Sequence, residues 1–187
     1  DNLFAGVYTL AITDAAGCTT TAAYNVGEPG QFIITAELSQ WAGGYNVSCP
    51  AATDGAITAT VTGGTGPYSY FWIGPNGFTA IGLAQSGLSS GEYHLVVHDA
   101  NGCNSGADFT LVAPDVIQVG LVATAQPSCQ GGQDGSIQTG IMGGTAPYSC
   151  NWTGPNGPIG ISQNITGVGA GTYSVTVTDA LGCTRTA

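Results

Sequence analysis

Lysine is absent from this 187-residue chain, and arginine occurs once, at Arg185. Charged residues make up 6% of the sequence, whereas roughly a quarter of a typical soluble protein is charged. The carboxylates dominate, and the formal net charge is −10. Nucleic acids and anionic membrane surfaces are bound through clusters of cations, so both are excluded as partners. A Lys–Asn isopeptide cross-link is excluded as well.

Long hydrophobic runs and helical periodicity are also missing. No apolar stretch approaches about 18 residues, so we expect no direct membrane insertion in this segment. What the chain has instead is 31 glycines and strands of alternating residues. Ile57, Ala59 and Val61 alternate with threonines, and Gly/Pro clusters bound each such run. This period of two predicts an all-β protein with six or seven short strands per repeat.

One phrase occurs three times, at residues 3–18, 88–103 and 168–183, and each copy ends in Asp-Ala-x-Gly-Cys. Its glycines Gly6, Gly91 and Gly171 lie 85 and 80 residues apart. This period suits a string of small β-sandwiches. We therefore predict the C-terminal part of a first repeat at 1–29, a complete second repeat at 30–114, and a third repeat at 115–187 that is truncated at its last strand. We expect the chain to be part of a longer protein, with short Pro-containing seams and repeats in contact as a semi-rigid rod.

Each copy contains Gly-x-Tyr, which is typical of the tyrosine corner of Greek-key sandwiches. Tyr8, Tyr93 and Tyr173 are predicted to bond to the main chain upstream. The aspartates that follow stand three residues before a glycine, which favours type I turns. Each copy is therefore predicted to form a hairpin.

Comparison of the second and third repeats separates the core from the surface. Aromatic rings recur at Tyr68 and Trp72, which lie on one face of a predicted strand. The opposite face carries Phe71 and Ile73, whose counterparts are polar, so we expect these two side chains to face solvent or a partner. With Trp41 they form a candidate contact surface.

Six cysteines favour an oxidising compartment. Cys49 and Cys103 are 54 positions apart, and so are Cys129 and Cys183. This regularity predicts the internal disulfides Cys49–Cys103 and Cys129–Cys183, with Cys18 bonded to a residue outside the chain. Pairing across repeats, as Cys18–Cys49 and Cys103–Cys129, is the less regular alternative. Cys150 replaces a core aromatic residue and is predicted to be a buried, inert thiol.

No catalytic set or cofactor site is predicted, and the chain is not expected to be an enzyme. His94 and His98 are about 13 Å apart on a strand, too far for one zinc ion. Single carboxylates in loops fall short of the six to eight oxygen ligands of calcium; the candidates are Asp54, Asp99, Asp134 and Asp179. No metal site is therefore expected. N-glycosylation sequons begin at Asn46, Asn151 and Asn164, where chance matches in a Thr-rich chain are the simpler explanation.

The order of these motifs resembles the SprB-type repeat of very large cell-surface adhesins of Bacteroidota. The third repeat carries it as Cys129, Asp134-Gly-Ser-Ile, Gly143-Gly-Thr-Ala-Pro-Tyr, Trp152 and Asp179-Ala-Leu-Gly-Cys. The resemblance implies tandem Ig-like modules at the bacterial cell surface, exported by type IX secretion and acting as a stalk or spacer, or in adhesion or gliding motility.

Two other functions stay open. The repeats could build an extracellular filament or sheath, with Trp41, Phe71 and Ile73 as subunit contacts. They could also bind glycans, with Trp41 or Phe71 as a stacking platform. The expected partners are neighbouring repeats, copies of the chain itself, surface glycans or abiotic surfaces.

Overall fold

The structure is a computed structural model and describes residues 3–187. These residues form sixteen β-strands and one short 3-10 turn at Pro75–Gly77. No helix in this range is long and apolar enough to cross a membrane. The prediction of an all-β chain of tandem Ig-like units is confirmed, because alternating strands separated by glycine turns favour sandwiches.

A lone hairpin opens the chain. Strands β1 (Gly6–Thr13) and β2 (Thr19–Val26) pair in antiparallel register from Gly6↔Val26 to Thr13↔Thr19. Its apolar side chains are largely exposed, with Val7 at 72% and Ile12 at 57%. Within the described residues, this two-stranded sheet has no further strand.

The middle sandwich follows and has seven strands in two sheets. One sheet has the order β3-β4-β7, and the other has the order β6-β5-β8-β9. The strands are β3 (Ile33–Leu38), β4 (Gly55–Thr62), β5 (Ser69–Ile73), β6 (Thr79–Ala80), β7 (Ala84–Leu88), β8 (Gly91–His98) and β9 (Asn104–Leu111). The chain changes sheets between β4 and β5, and again on either side of β7, as in Greek-key sandwiches.

The core of the middle sandwich lies between its sheets. Ile57 from β4, Trp72 from β5 and Leu95 from β8 are fully buried. The Trp72 indole packs against Phe109 at a centroid distance of 5.8 Å, and its Nε1 donates to the Gly82 carbonyl. Period-two alternation therefore buries one face of each strand, because only that face meets the opposite sheet.

The last sandwich repeats this topology. Its sheets have the orders β10-β11-β14 and β13-β12-β15-β16. The strands are β10 (Gln118–Ala125), β11 (Gly135–Met142), β12 (Ser149–Gly154), β13 (Gly157–Gly160), β14 (Ile165–Val168), β15 (Ser174–Thr178) and β16 (Thr184–Thr186). Its separate core includes Trp152, Ile165 and Val177. Trp152 Nε1 donates to the Ser162 carbonyl, as Trp72 does to Gly82.

Strand direction determines which loops lie at which end of a sandwich. We call residues 39–54 and 126–134 the cysteine loops, since they hold Cys49 and Cys129. We call residues 14–18, 99–103 and 179–183 the aspartate turns. In each sandwich the cysteine loop precedes the second strand and the aspartate turn joins the last two strands, at the opposite end. The middle sandwich therefore meets the last one with its cysteine loop next to the last aspartate turn.

Candidate functional site: the seam between the sandwiches

A disulfide bond joins the two sandwiches across their seam. Cys49 of the middle cysteine loop is bonded to Cys183 of the last aspartate turn, with 5.6 Å between their Cα atoms and a sequence separation of 134. Cys183 is buried, and Cys49 packs against the core of the last sandwich. Closing a loop of this size stabilises the folded chain by about 5 kcal/mol in the chain-entropy model.

The predicted internal disulfides Cys49–Cys103 and Cys129–Cys183 are therefore wrong. The five strands β4 to β8 separate Cys49 from Cys103, and an odd number of antiparallel strands leaves two residues at opposite ends. Strand β8, from Gly91 to His98, extends from one end to the other. At about 3.3 Å per residue, the two ends are therefore roughly 23 Å apart. A disulfide spans only about 6 Å between Cα atoms.

The regular spacing that motivated this prediction has another origin. Cys49 and Cys129 are repeat-equivalent, as are Cys103 and Cys183, so equal spacings follow from the 80-residue period alone. The spacing therefore carries no information about which cysteines bond. The alternative pairs Cys18–Cys49 and Cys103–Cys129 are also not formed, and Cys18, Cys103 and Cys129 are free, exposed thiols in the structure.

The aspartate turn holds Cys183 in place through one buried carboxylate. Asp179 Oδ1 accepts from the main-chain N–H groups of Leu181 and Cys183, both at 2.9 Å. Asp179 Oδ2 accepts from the N–H of Thr145 in the Gly-Gly-Thr turn, also at 2.9 Å. The carboxylate therefore ties the cysteine-bearing turn to a neighbouring turn of the same sandwich.

The same geometry recurs in the other two aspartate turns. Asp99 Oδ1 accepts from the N–H groups of Asn101 and Cys103, and its Oδ2 from Thr65. Asp14 Oδ1 accepts from Cys18. All three turns therefore hold their cysteine by the same contact.

Hydrogen bonds also perturb the acidity of Asp99. Burial alone would raise the pKa of this carboxyl, but main-chain N–H donors, Thr65 and Cys103 foremost, outweigh burial and lower the pKa below its ordinary value. Asp99 is therefore held in its ionised form.

The cysteine loops are also organised by a carboxylate. Asp54 Oδ1 accepts from the N–H of Ser48 at 3.0 Å, next to Cys49. Asp134 makes the equivalent bond with Ser128 at 2.9 Å, next to Cys129. Hydrogen bonds from these serines, side chain first, lower the pKa of both carboxyls. These two candidate calcium ligands thus stabilise the loops that contain them. The described residues contain no cluster of His, Cys, Asp or Glu that could hold a metal.

The connector between the sandwiches is anchored at both of its ends. Val112 accepts from the Asn46 N–H at 2.7 Å, and Asn46 Oδ1 accepts from the Val112 N–H at 2.9 Å. At the other end, the Asp115 carbonyl accepts from the Gly144 N–H at 2.9 Å. Only Ala113 and Pro114 lie between the two anchors. The seam is therefore constrained by the connector as well as by the disulfide.

Asn46 is a residue whose role sequence reasoning missed. The sequence pattern marks Asn46 only as the start of a sequon, but its side chain is buried, at 8% exposure, and its Nδ2 donates to the Ser39 carbonyl. Its amide thus clamps the cysteine loop to the start of the connector. A signal was present in the sequence: the loop around Asn46 is longer than its counterpart and needs internal partners for its polar groups.

Each of the three motif tyrosines donates its hydroxyl to a carbonyl four residues upstream. Tyr8 bonds to Phe4 at 2.8 Å, Tyr93 to Ser89 at 2.9 Å, and Tyr173 to Gly169 at 2.8 Å. These bonds fix the entry of the strand that leads to each aspartate turn. They are local contacts within each repeat, as predicted for tyrosine corners, and carry no reactive chemistry.

The structure does not gather the remaining candidate residues into one site. Phe71 and Ile73 lie on the outer face of β5, at 45% and 47% exposure. Trp41 lies in the middle cysteine loop, where its main chain forms an isolated antiparallel β-bridge with Tyr45. His94 Nδ1 is 2.5 Å from Asp108 Oδ1 on the surface of the sheet. Cys150 is buried, and burial raises the pKa of its thiol.

Two segments of this chain are similar to a known repeat family. The family model described as "SprB repeat" matches residues 45–77 and 121–157. Both matches are consistent with SprB-type repeats. The first matched segment begins within the middle cysteine loop and the second includes the last cysteine loop. Both extend past the Gly-Gly-Thr turn, while the aspartate turns lie outside the matched residues. The disulfide thus joins a matched segment of one repeat to an unmatched turn of the next.

Similar solved structures include two chains of Ig-like domains. The three N-terminal domains of the bacteriophage RB49 highly immunogenic outer capsid protein (Hoc) are 18% identical, with a TM-score of 0.48; the alignment covers 84% of this chain and 57% of that one. Dpr2 Ig1-Ig2, in complex with DIP-Theta Ig1-Ig3, is 12% identical over 98% of this chain and 71% of that one, with a TM-score of 0.35. No curated protein matches this chain.

Proposed function

We propose that this chain is a non-enzymatic extracellular segment of a large bacterial surface adhesin, in which end-to-end repeats act as a stalk or spacer. The observation that carries the proposal is the covalent seam between Cys49 and Cys183 of successive sandwiches. A spacer must keep its modules in line, and a bond across each seam limits bending. A low-charge surface of Thr, Ser and Asn suits this passive role.

The proposed organisation follows the repeats of the sequence. Residues 1–29 would end one repeat, residues 30–114 would form the next, and residues 115–187 would form most of a third. A disulfide-bonded seam favours an oxidising location at the cell surface, and the SprB-type match favours export by type IX secretion. Adhesion and gliding motility would then be properties of the parent protein, served by these repeats.

Small-angle X-ray scattering of the oxidised chain tests the spacer function. A compact globule of this length would have a radius of gyration of about 16 Å, and we expect a clearly larger value with an elongated pair-distance distribution. A Cys49→Ser/Cys183→Ser double variant is the matched control and should give a broader distribution. A radius near the compact value for the oxidised chain would contradict the proposal.

A glycan and surface-binding array separates spacing from adhesion. Saturable binding by the disulfide-intact chain would make each repeat an adhesive unit whose avidity grows with repeat number. If the chain binds nothing at high concentration, the repeats are spacers only. Loss of binding in Trp41→Ala would assign a glycan-stacking role to Trp41, which is 40% exposed.

An alternative function is a filament subunit, favoured by the outer face of the middle sandwich. Phe71 pairs there with Val96, and Ile73 is exposed beside them, whereas the last sandwich has Asn151 and Thr153 at those positions. An exposed apolar strip without charges favours lateral packing against another copy, since no charge repulsion opposes it. Concentration-dependent assembly that is lost in Phe71→Ser but kept in Asn151→Ser would favour this alternative.

A further inference from the structure

The bond between Cys49 and Cys183 joins a cysteine loop to an aspartate turn. The chain contains another cysteine loop and two other aspartate turns, whose cysteines are not bonded. The middle cysteine loop is bonded through Cys49, but the last cysteine loop presents Cys129 as an exposed free thiol. The last aspartate turn is bonded through Cys183, but the other two present Cys18 and Cys103, also exposed and free. The unbonded cysteines thus occupy the same places in the fold as the bonded ones.

The equivalence extends to the groups that orient these cysteines. Asp134 accepts a hydrogen bond from the N–H of Ser128, the residue before Cys129. Asp54 accepts the equivalent bond from the N–H of Ser48, the residue before Cys49. Asp14 accepts from the Cys18 N–H at 2.9 Å, the same distance as between Asp179 and Cys183. The main chain at Cys129 and at Cys18 is therefore held as it is at the bonded counterparts, Cys49 and Cys183.

Packing limits which free thiol a second copy can reach. The turn that carries Cys103 lines a groove together with Glu28, Pro29 and Gly30 of the connector from the first hairpin, so part of its surroundings is already occupied. The turn that carries Cys18 is exposed throughout. At the other end of the chain, the loop that carries Cys129 is also exposed.

We propose that Cys129 forms an inter-repeat disulfide with the aspartate-turn cysteine of another SprB-type repeat stacked end to end on the last sandwich. Cys18 is the corresponding acceptor on this chain, so copies of the chain join head to tail through Cys129 and Cys18. Because the two surfaces differ, the contact is heterologous, and copies that stack in line grow into an open chain of repeats. The inference rests on the seam geometry and does not require the adhesin function.

The bond needs a disulfide oxidant, such as oxidised glutathione or an oxidoreductase. The Cys129 thiolate attacks the oxidant, a mixed disulfide forms, and one thiolate leaves. The thiolate of the partner's aspartate-turn cysteine then attacks Cys129 Sγ and releases the second thiolate. Two thiols of the repeats are oxidised, one disulfide of the oxidant is reduced to two thiols, and the two protons pass to those thiols or to solvent.

The test incubates the 187-residue chain with oxidised and reduced glutathione over a range of protein concentrations. Non-reducing electrophoresis is expected to show a ladder of covalent multimers that disappears on reduction. Cys129→Ser and Cys18→Ser should each lower the multimer fraction at least tenfold. Cys150→Ser, which removes a buried thiol, is the matched control and should leave the ladder unchanged.

Peptide mapping of the ladder distinguishes the proposed seam from random oxidation. Peptides that join Cys129 to Cys18 support the proposal, and Cys129–Cys103 peptides as the main product would overturn the assignment of Cys18 as the acceptor. Cys129–Cys129 or Cys18–Cys18 peptides as the main products would overturn it, since like cysteines never meet in an end-to-end seam. A chain that stays monomeric with titratable thiols would also overturn it.

The mass of the disulfide-linked protein isolated from cells shows whether the partner repeat belongs to the same polypeptide or to a second copy. If Cys129 is joined to an aspartate-turn cysteine in a species with the mass of one chain, the partner repeat belongs to the same polypeptide. If the mass is that of several chains, the partner is a second copy. A straight stalk by scattering with no bond at Cys129 would reject this inference and leave the proposed function standing.

Discussion

At the residue scale, the seams depend on glycines that allow one piece of backbone to approach another. Gly63 has φ +80°, and a Cβ built there would collide with the carbonyl group of Gln31. In the last sandwich, a Cβ built at Gly143 would likewise collide with the carbonyl group of Val116. The Gly-Gly-Thr turns are therefore places where the incoming connector lies directly on the sandwich, and a side chain has no room.

Gly63→Ala should destabilise the middle sandwich far more than Gly77→Ala. Gly77 has nearly the same φ, +78°, but nothing lies within 4 Å of its built Cβ, so its substitution costs only the left-handed backbone term of about 1 kcal/mol. We expect a total of about 3 kcal/mol or more for Gly63→Ala, because the connector must also move. Calorimetric unfolding of both variants checks this, and equal losses would mean that the connector does not lie on the turn.

The carboxylate of Asp99 makes stability depend on pH in the acid range. Its pKa is lowered in the folded state, whereas an unfolded aspartate titrates near about 3.9. Its stabilisation is therefore complete above that value and is lost as the pH falls through the lower folded-state pKa. Asp54 and Asp134, whose pKa values are also lowered, act in the same direction.

Asp99→Asn should lower the melting temperature by several degrees at pH 7 and by much less at about pH 2.5. The Asn amide cannot accept from both Thr65 and Cys103, since one of its two terminal atoms is a donor. Thermal melts of the wild type and the variant across this range provide the measurement. Asp108→Asn, at an exposed hydrogen bond with His94, is the control and should change little. A pH-independent difference for Asp99→Asn would contradict the account.

At the scale of elements, the first hairpin and its counterpart in the middle sandwich share a sequence pattern but not an environment. Strands β1 and β8 lie in copies of the same phrase, and each pairs with the strand that follows its aspartate turn. Alternate side chains of β8 are buried against an opposite sheet, while nearly all side chains of β1 are exposed. An isolated two-stranded hairpin is marginally stable in water.

Amide hydrogen exchange should therefore separate the two hairpins. We expect the hydrogen-bonded amides of β8 and β9 to exchange at least 100-fold more slowly than those of β1 and β2, because opening them requires unfolding of the core. Mass spectrometry with peptides covering residues 3–29 and 88–112 gives the comparison within one sample. Equal protection would mean that another surface covers the first hairpin.

The strands and turns could be predicted from the sequence, because alternation and glycine clusters act locally. Ile57 and Trp72 are buried and Phe71 is exposed, as the period of two and the comparison of repeats indicated. The pairing of the cysteines could not be derived in this way. It depends on the number of strands between two cysteines, and the two-residue strand β6 alone changes that number from even to odd.

At the scale of the whole molecule, one seam carries three constraints that act on the same joint. The Cys49–Cys183 bond joins the sandwiches, Asn46 clamps the start of the connector, and Gly144 binds its end. The second constraint lies within the middle sandwich and the third within the last one, so the disulfide is the one of the three that links the two sandwiches to each other. It cross-links them in addition to the peptide connector, and the rigidity of the proposed stalk at this joint therefore rests on this bond.

The measurement that tests this most directly is disulfide mapping of the intact chain after pepsin digestion under acidic, non-reducing conditions, where thiolates are too few to exchange. The account predicts a linked peptide pair containing Cys49 and Cys183, with Cys103 and Cys129 absent from bonds within one chain. Recovery of Cys49 joined to Cys103, together with Cys129 joined to Cys183, would contradict it and return each disulfide to a single repeat.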